Sequence, residues 1–254
     1  MLLTIYMVYR SAAASESGFM QILTANYLSA GYYFYSLGRI PEGKDPAAVD
    51  AKLVEKYGID VSRSTRWRRK KAGYGNVHLI RFEHSFLLLC THGRHEFFEK
   101  EDWRDCRRNP IKFGGYSITC KRGDFRSGHG ANGKPIRDDR MRVRVQVARP
   151  VFADWRAYFM ELARFASAKR VAGELYCWPY IPFAPVRRQW LDLLRVVNKV
   201  RRERGRSKIE SGLATRFWRD VVRPFDDEVT LEELQTKWRC DFVEKWERRF
   251  KKAA

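Results

Sequence analysis

The stretch Arg140-Met141-Arg142-Val143-Arg144-Val145-Gln146-Val147, followed by Pro150, marks the point where the character of this chain changes. Its apolar and polar residues alternate with a period of two, which is typical of a β-strand with one buried face. The segments before it are mostly strand-like, and the segments after it show the apolar spacing of amphipathic helices. This order predicts an α+β fold, in which amphipathic helices from the C-terminal half cover a largely antiparallel sheet in the N-terminal half.

The segments before this strand favour β-structure and contain one clear helix. Asp45-Pro46 supplies an N-cap and a proline at the first helical position, so residues 46–57 are expected to be helical. Residues 19–28 fit either a helix or a strand. We predict a strand-rich, basic, nucleic-acid-binding region over 1–149, with strands over 1–9, 31–37, 77–83, 85–91 and 116–122.

The segments after this strand form a helical region over 150–254. A helix with an aromatic stripe starts at Pro150, an amphipathic helix covers 186–204, and the capping box Thr230-Leu231-Glu232-Glu233 begins another. Residues 176–185 contain three prolines and are expected to form a packed, non-helical connector. We expect the two regions to pack together as one compact unit.

The composition indicates a globular protein with a polyanionic partner. The 254 residues are 44% apolar, which is enough for a substantial core, and 50 Lys and Arg against 30 Asp and Glu give a net charge of +20. The five cysteines include no C-x-x-C pair, which argues against a paired-cysteine zinc site and favours a reduced, cytoplasmic or nucleoid-associated setting. The apolar opening segment ends within nine residues and is too short to cross a bilayer, so no membrane partner is expected.

A dense group of cations and aromatic residues lies between residues 63 and 74. Cations attract phosphates, and an exposed Trp or Tyr among them can stack on an unpaired base. The pattern predicts nucleic-acid contact; the alternative is a solvated basic turn whose Trp67 packs into the core. The residues expected to bind are Arg63, Arg66, Trp67, Arg68, Arg69, Lys70, Lys71 and Tyr74.

The predicted helix over 186–204 carries apolar and basic residues on opposite sides. At about 100° per residue, one side collects Val186, Trp190, Leu193, Val197 and Val200. The opposite side collects Arg188, Arg195, Lys199, Arg202 and, if the helix continues past Gly205, Arg206. Such a face suits a phosphate backbone or a DNA major groove, and a solvated charged face is the alternative.

A third basic segment surrounds the glycine-rich residues 123–139. Seventeen residues are too many for a tight hairpin, and four glycines would let the backbone approach a ligand closely, so we interpret the segment as a nucleic-acid-binding finger. A mobile loop without a ligand, beside an edge strand protected by charge, is the alternative. The basic residues of the finger and its flanking strands are Arg122, Arg126, Lys134, Arg137, Arg140, Arg142 and Arg144.

Catalytic candidates are few. Two or three histidines could converge on a divalent metal, with satisfied structural histidines as the alternative; the four candidates are His78, His84, His92 and His95. Asp124, Asp138 and Asp139 could hold Mg²⁺ at the base of the finger, although carboxylates beside arginines are more often their ion-pair partners. Cys106 has the surroundings most favourable to a thiolate but no evident base, and Cys90 is expected to be buried and inert.

These patterns predict a nucleic-acid-binding protein, for DNA or structured RNA, that needs no cofactor unless the nuclease alternative holds, which would require a divalent metal. We place it in a nucleoprotein complex of a replication, mobile-element, RNA-guided or defence system, together with other proteins. A metal-dependent nuclease or transposase-like enzyme and a scaffold for an acidic protein are the alternatives. The histidine pair of single-strand transposases and rolling-circle initiators is absent, because Ile80 stands where the second histidine after His78 would be.

Overall fold

The structure is a computed structural model that describes residues 9–122, 126–137 and 140–218, together with Val222, Pro224 and Phe225. Within this part of the chain the fold is α+β with antiparallel sheets, as the sequence predicts. The strands are β1 Phe34–Arg39, β2 Val77–Phe82, β3 Ser85–Cys90, β4 Arg104–Asp105, β5 Ile111–Phe113, β6 Tyr116–Arg122, β7 Arg126–His129, β8 Pro135–Arg137 and β9 Met141–Val147. The helices are α1 Glu16–Gln21, α2 Pro46–Lys56, α3 Arg63–Lys71, α4 Phe97–Lys100, α5 Arg149–Phe165, α6 Ala168–Cys177, α7 Ala184–Glu203 and α8 Ser211–Ala214.

The chain divides into two compact units. Unit 1 consists of Met1–Pro110, Thr119–Val143 and Val222–Glu228. Unit 2 consists of Ile111–Ile118, Arg144–Val221 and Val229–Ala254.

Unit 1 is organised around a four-stranded antiparallel sheet in the order β2-β3-β1-β4. Strands β2 and β3 form a hairpin in which Val77 lies opposite Cys90 and Phe82 lies opposite Ser85. The helices that contact β2 are α1 and α2, both earlier in the chain. A hydrophobic cluster shared by the sheet and its flanking segments consists of Tyr57, Ile59, Val77, Leu79, Leu88, Cys90 and Phe97.

The ambiguous segment 19–28 is helical. Helix α1 continues without a break as a π-helical turn over Ile22–Tyr27 and a 3₁₀ turn over Leu28–Ala30. Helix α2 begins behind Asp45, whose carboxylate accepts the backbone N–H groups of Ala47 and Ala48, as the Asp-Pro pair predicts.

Unit 2 is mostly helical, and its core is built on aromatic residues. The fully buried Trp190 of α7 donates its indole N–H to the carbonyl of Ala214 at 3.0 Å and packs edge-to-face on Phe159 of α5. The connector Tyr180 is also buried and lies 4.3 Å from Trp190 between ring centroids, so the proline-rich segment packs as expected. Both ends of the predicted connector are helical, however: Tyr176 and Cys177 end helix α6, which starts at an N-cap on Ser167, and Ala184 and Pro185 begin helix α7.

The sheets outside the four-stranded one are small. One has the order β5-β6-β9, with β9 at an edge, and β7 pairs with β8 in a separate hairpin. The predicted strand over 1–9, apart from Tyr9, and the predicted helix behind Thr230 lie outside the described residues.

Candidate nucleic-acid interface

The basic segment 63–71 is a regular helix, α3, not a turn. Its N-terminus is capped by Ser62, whose hydroxyl accepts the Thr65 backbone N–H at 3.1 Å. Four cations occupy its last turn, where they interact favourably with the negative end of the helix dipole. The helix ends at Lys71, and Gly73, two residues further on, takes the left-handed conformation with φ of 81°.

The helical repeat sorts the residues of α3 by exposure. At about 100° per residue, its six exposed residues fall within an arc of about 160°, and the three half-buried ones fill the rest. Trp67 lies in the middle of the exposed arc and is 63% exposed, so it does not pack into the core. The ammonium of Lys71 lies 5.2 Å from the centre of its ring, a cation–π contact. The six exposed residues are Arg63, Ser64, Trp67, Arg68, Lys70 and Lys71.

Two of the predicted cations are half-buried and lie outside the exposed arc. Arg69 is half-buried and donates to the carbonyl of Gly58 at 3.1 Å, which ties α3 to the end of α2. Arg66 is half-buried as well, and its positive charge contributes to the lowered pKa of the buried His78. The cations available to a ligand are therefore Arg63, Arg68, Lys70 and Lys71, which we call the α3 cations.

The α3 cations are not neutralised by the described part of the chain. Exposed cations elsewhere form ion pairs, such as Lys100 with Glu96 at 2.6 Å and Arg170 with Glu174 at 3.1 Å. Among the described residues no carboxylate lies within 4.0 Å of any α3 cation. A group of four cations on one helix face that makes no ion pair with the described residues is available to attract a polyanion.

A second exposed aromatic residue follows α3 and is held in place by the backbone. The N–H of Arg94 donates to the carbonyl of Gly73 at 2.9 Å, and the N–H of Gly75 donates to the carbonyl of Arg94 at 3.0 Å. These bonds place the Arg94 guanidinium 5.4 Å from the ring of Tyr74, which is 50% exposed. The approach requires Gly93: a Cβ at this position, where φ is 134°, would lie 2.5 Å from backbone atoms of Tyr74 and Gly75. The sequence does not identify Arg94 as a site residue, because its partner Tyr74 lies twenty residues away on a separate segment.

Near Arg66, His78 is enclosed by three tyrosines. The Tyr9 hydroxyl lies 3.1 Å from the imidazole Nδ1, and the Tyr27 and Tyr32 rings lie 4.5 and 5.0 Å from it between centroids. Burial and, to a smaller extent, the Arg66 charge lower the pKa of His78 to about 3. Burial raises the pKa of Tyr9, Tyr27 and Tyr32. At neutral pH the group is uncharged, and an imidazole with so low a pKa is a weak general base.

The other histidines are dispersed. His84 lies in the β2–β3 turn, at the opposite end of β2 from His78, and His92 is exposed after β3. The Nδ1 of His95 accepts the backbone N–H of Phe97 at 3.0 Å. Throughout the described residues, no group of three or more His, Cys, Asp or Glu side chains is arranged to hold a metal ion. The candidates Asp124, Asp138 and Asp139 lie outside those residues, so the magnesium hypothesis stays a prediction.

Helix α7 of unit 2 shows the predicted separation of faces. Its buried side includes Val186, Trp190, Leu193 and Val197, together with Arg201, whose guanidinium donates to the carbonyls of Ala166 and Ser207 at 2.9 and 2.7 Å. The helix ends at Glu203, so Arg206 lies beyond it and bonds the Ala166 carbonyl at 3.4 Å. Asp192 pairs with Arg195. The exposed cations on the opposite face, which we call the α7 cations, are Arg188, Arg195, Lys199 and Arg202.

The predicted finger contains a short β-hairpin. Strands β7 and β8 pair with Arg126 opposite Arg137, and Lys134 is exposed in the turn between them. Arg140 is exposed, whereas Arg142 and Arg144 are half-buried and have partners within the protein. Because β9 is an edge strand, its arginines also fit the alternative role of protecting that edge.

The two cysteines singled out in the sequence, Cys90 and Cys106, are both buried. Cys106 is fully buried, and its hydrogen bond with Cys120, followed by burial, raises the pKa of its thiol. The expectation of a thiolate-friendly Cys106 is therefore wrong, because a sequence shows the neighbouring charges but not the burial. Cys90 is buried as predicted, and burial raises the pKa of its thiol to about 12.

The sequence matches no protein-family model and shows no significant similarity to a curated protein. Within the described residues, no helix is both long enough and apolar enough to cross a membrane.

Proposed function

We propose that this protein binds nucleic acid, and that the α3 surface is its principal contact. We define the α3 surface as the α3 cations together with Trp67, Tyr74 and Arg94. The observation that supports the proposal is the combination, on one short helix and the turn behind it, of two exposed aromatic rings and four exposed cations that make no ion pair with the described part of the chain.

The cations account for affinity. Each one that approaches a phosphate releases condensed counterions, and this release is the main source of sequence-independent binding. Helix α3 is nine residues long, about 13 Å at 1.5 Å per residue, so its four cations are concentrated within the length of a few phosphates. Neutral hydrogen-bonding partners would not need this density of charge.

The aromatic rings account for a preference for single-stranded over double-stranded nucleic acid. An exposed Trp or Tyr beside a cation gains little from the outside of a duplex but can stack on an unpaired base while the cation contacts its phosphate. Trp67 has Lys71 beside it, and Tyr74 has Arg94. The α3 surface is therefore suited to a single-stranded segment of DNA or RNA.

The proposal is tested by titrating the full chain, purified after nuclease treatment, into a labelled single strand of mixed sequence, first as DNA and then as RNA. Because one stacked base contributes about 1–3 kcal/mol, Trp67→Ala should weaken binding by about 5- to 150-fold. Phe165→Ala is the matched control, because Phe165 is a similarly exposed ring, 58% exposed, outside the α3 surface. Equal losses of affinity in the two variants would show that Trp67 does not contact the nucleic acid. The absence of binding to either strand, with an acidic protein retained after nuclease treatment, would replace nucleic acid by that protein as the partner.

A further inference from the structure

A group of aromatic side chains in unit 1, outside the α3 surface, leaves a large ring partly open to solvent. Phe34, Phe98 and Trp103 contact one another edge to face, with ring centroids between 5.2 and 5.4 Å apart. The Trp103 indole N–H also donates to the carbonyl of Phe98 at 3.2 Å, yet Trp103 is 40% exposed. A ring whose orientation is already fixed loses little conformational entropy when a base stacks on it. We call these three residues the ring cluster.

The ring cluster lies, through Phe34, at the same end of the four-stranded sheet as Tyr74. Val77, which starts β2, and Phe34, which starts β1, both lie opposite Cys90 at the end of β3. Asp105 at the end of β4 lies opposite Phe34, and Tyr74 precedes β2 by three residues. With the strand order β2-β3-β1-β4 and about 4.8 Å between neighbouring strands, this end of the sheet is about 14 Å across.

The segment that follows β3 connects the two groups of rings. The Arg94 guanidinium lies beside the Tyr74 ring, and two residues earlier the exposed His92 ring lies 6.1 Å from the Phe34 ring between centroids. Exposed side chains therefore continue from the α3 surface to the ring cluster within one compact unit. A protein that binds a single strand needs such a continuous surface, because its contacts follow the backbone of the strand.

The aspartates around the ring cluster are paired with arginines. Asp102 has Arg104 as its partner at 3.7 Å, and Asp105 has Arg107 at 2.7 Å. Arg108, which is exposed, has no carboxylate within 4.0 Å among the described residues. It supplies a cation just after β4 that can approach a phosphate.

We infer that the single strand bound by the α3 surface continues across this end of the sheet and stacks a further base on Trp103. This inference rests on the proposed function and adds the length of the ligand. The unpaired stretch reaches about 14 Å beyond Tyr74, or about four nucleotides at the 3.4 Å rise of a stacked strand. A strand that already occupies the α3 surface makes the second contact as an intramolecular step, so its affinity increases.

The experiment titrates the full chain, at one fixed salt concentration, with labelled single strands of mixed sequence that lengthen in steps from about four to about sixteen nucleotides. The affinity of the wild type should rise steeply once the strand reaches Trp103 and should then level off. In Trp103→Ala this rise should be smaller by about 5- to 150-fold, which is the contribution of one stacked base. The shortest strands should bind to Trp103→Ala as they do to the wild type.

Two variants separate stacking from support of the fold. Trp103→Phe keeps a ring at this position and should retain most of the rise in affinity. Phe98→Leu alters the ring cluster but keeps the indole and the carbonyl that it bonds, so it should lower the stability without removing the rise. Urea titrations compare the free energies of unfolding of these variants and of Trp103→Ala.

A charge variant leaves the ring cluster intact. Arg108→Gln should lower the slope of log K against log salt by about 0.7 for the long strands and leave it unchanged for the shortest ones. Its matched control is Lys100→Gln, because the Lys100 ammonium is paired with Glu96 at 2.6 Å. The control should leave the slope unchanged at every length.

The outcomes separate the inference from the proposed function. No binding at any length would refute the proposed function itself. Binding that depends on Trp67, with the same length dependence in the wild type and in Trp103→Ala, would overturn the inference and leave the α3 surface in place. The inference would also fail if Trp103→Phe and Phe98→Leu lost the rise as fully as Trp103→Ala, because the ring cluster would then only support the fold. Should Trp103→Ala fail to fold, an unchanged slope in Arg108→Gln would overturn the inference by itself.

Discussion

Neutralising the α3 cations should change how binding responds to salt. The variant carries Gln in place of Arg63, Arg68, Lys70 and Lys71, which are exposed and make no ion pair with the described residues, so the fold should be retained. Gln has nearly the same helix propensity as Arg and Lys, which keeps the helix itself unaffected. The change therefore removes four charges and little else.

The size of the effect follows from counterion release. For a single strand each phosphate contact contributes about 0.7 to the slope of log K against log salt, so four contacts contribute about 2.8. Between about 50 and 200 mM salt, a factor of four, a slope of 2.8 corresponds to a change of about 50-fold in affinity. The wild-type chain should lose about 50-fold more affinity over this range than the variant does.

The assay is fluorescence anisotropy with a labelled single strand at several salt concentrations, with circular dichroism to verify folding. The control removes the same number of charges at Lys100, Arg104, Arg164 and Arg170, whose ion pairs leave less charge available. An equal reduction of the slope in this control and in the α3 variant would refute the prediction, because net charge and not the α3 surface would then govern binding.

Three further predictions concern the parts that support this surface. His78 stays neutral down to about pH 3 in the folded chain but takes up a proton near pH 6.5 when unfolded, so the free energy of unfolding should fall below about pH 6.5, by up to about 1.4 kcal/mol per pH unit. Urea titrations at pH 6 and pH 5 should show this extra loss in the wild type and not in His78→Gln. Equal losses in the two proteins would argue against the buried neutral imidazole. Gly93→Ala should lower the free energy of unfolding by about 2–4 kcal/mol, because the new Cβ would collide with backbone atoms of Tyr74 and Gly75. Gly43→Ala, where no atom lies within 4 Å of the new Cβ, should lower it by about 1–2 kcal/mol. Similar losses in thermal melts of the two variants would contradict the close approach at Gly93. Asp50→Ala should lower the free energy of unfolding by about 3–5 kcal/mol, because Arg81 and Ser11 donate to the Asp50 carboxylate at 2.8 and 2.6 Å and would lose this partner. Arg164→Ala, which breaks an exposed ion pair, should lower it by less than about 1 kcal/mol in the same urea titrations.

Local signals in the sequence account for much of the architecture. The Asp45-Pro46 start of α2 and the opposed faces of α7 both follow from spacing along one element, and both are present in the structure. The same kind of signal is present in α3 and α6, where Ser62 and Ser167 are good N-caps and Gly73 favours termination of α3. The helical period of α3 would have separated Arg66 and Arg69 from the exposed cations.

Contacts between distant segments could not be read in this way. The hydrogen bond between Tyr9 and His78 joins residues 69 positions apart, and the pairing of Tyr74 with Arg94 depends on the backbone approach at Gly93. These contacts decide that His78 is buried among tyrosines and that Tyr74 has a cation beside it. Neither arrangement can be predicted from sequence spacing, because spacing identifies residues that are close along the chain and not residues that the fold brings together.

The most direct test of the central claim is photo-crosslinking of the full chain to a single strand containing 5-bromouracil bases, followed by mass spectrometry of the linked peptides. The linked nucleotides are expected on the peptides that contain Trp67 and Tyr74, and an excess of unlabelled competitor strand should remove them. Crosslinks confined to other peptides, with those two aromatic residues unmodified, would contradict the claim that the α3 surface is where this protein holds nucleic acid.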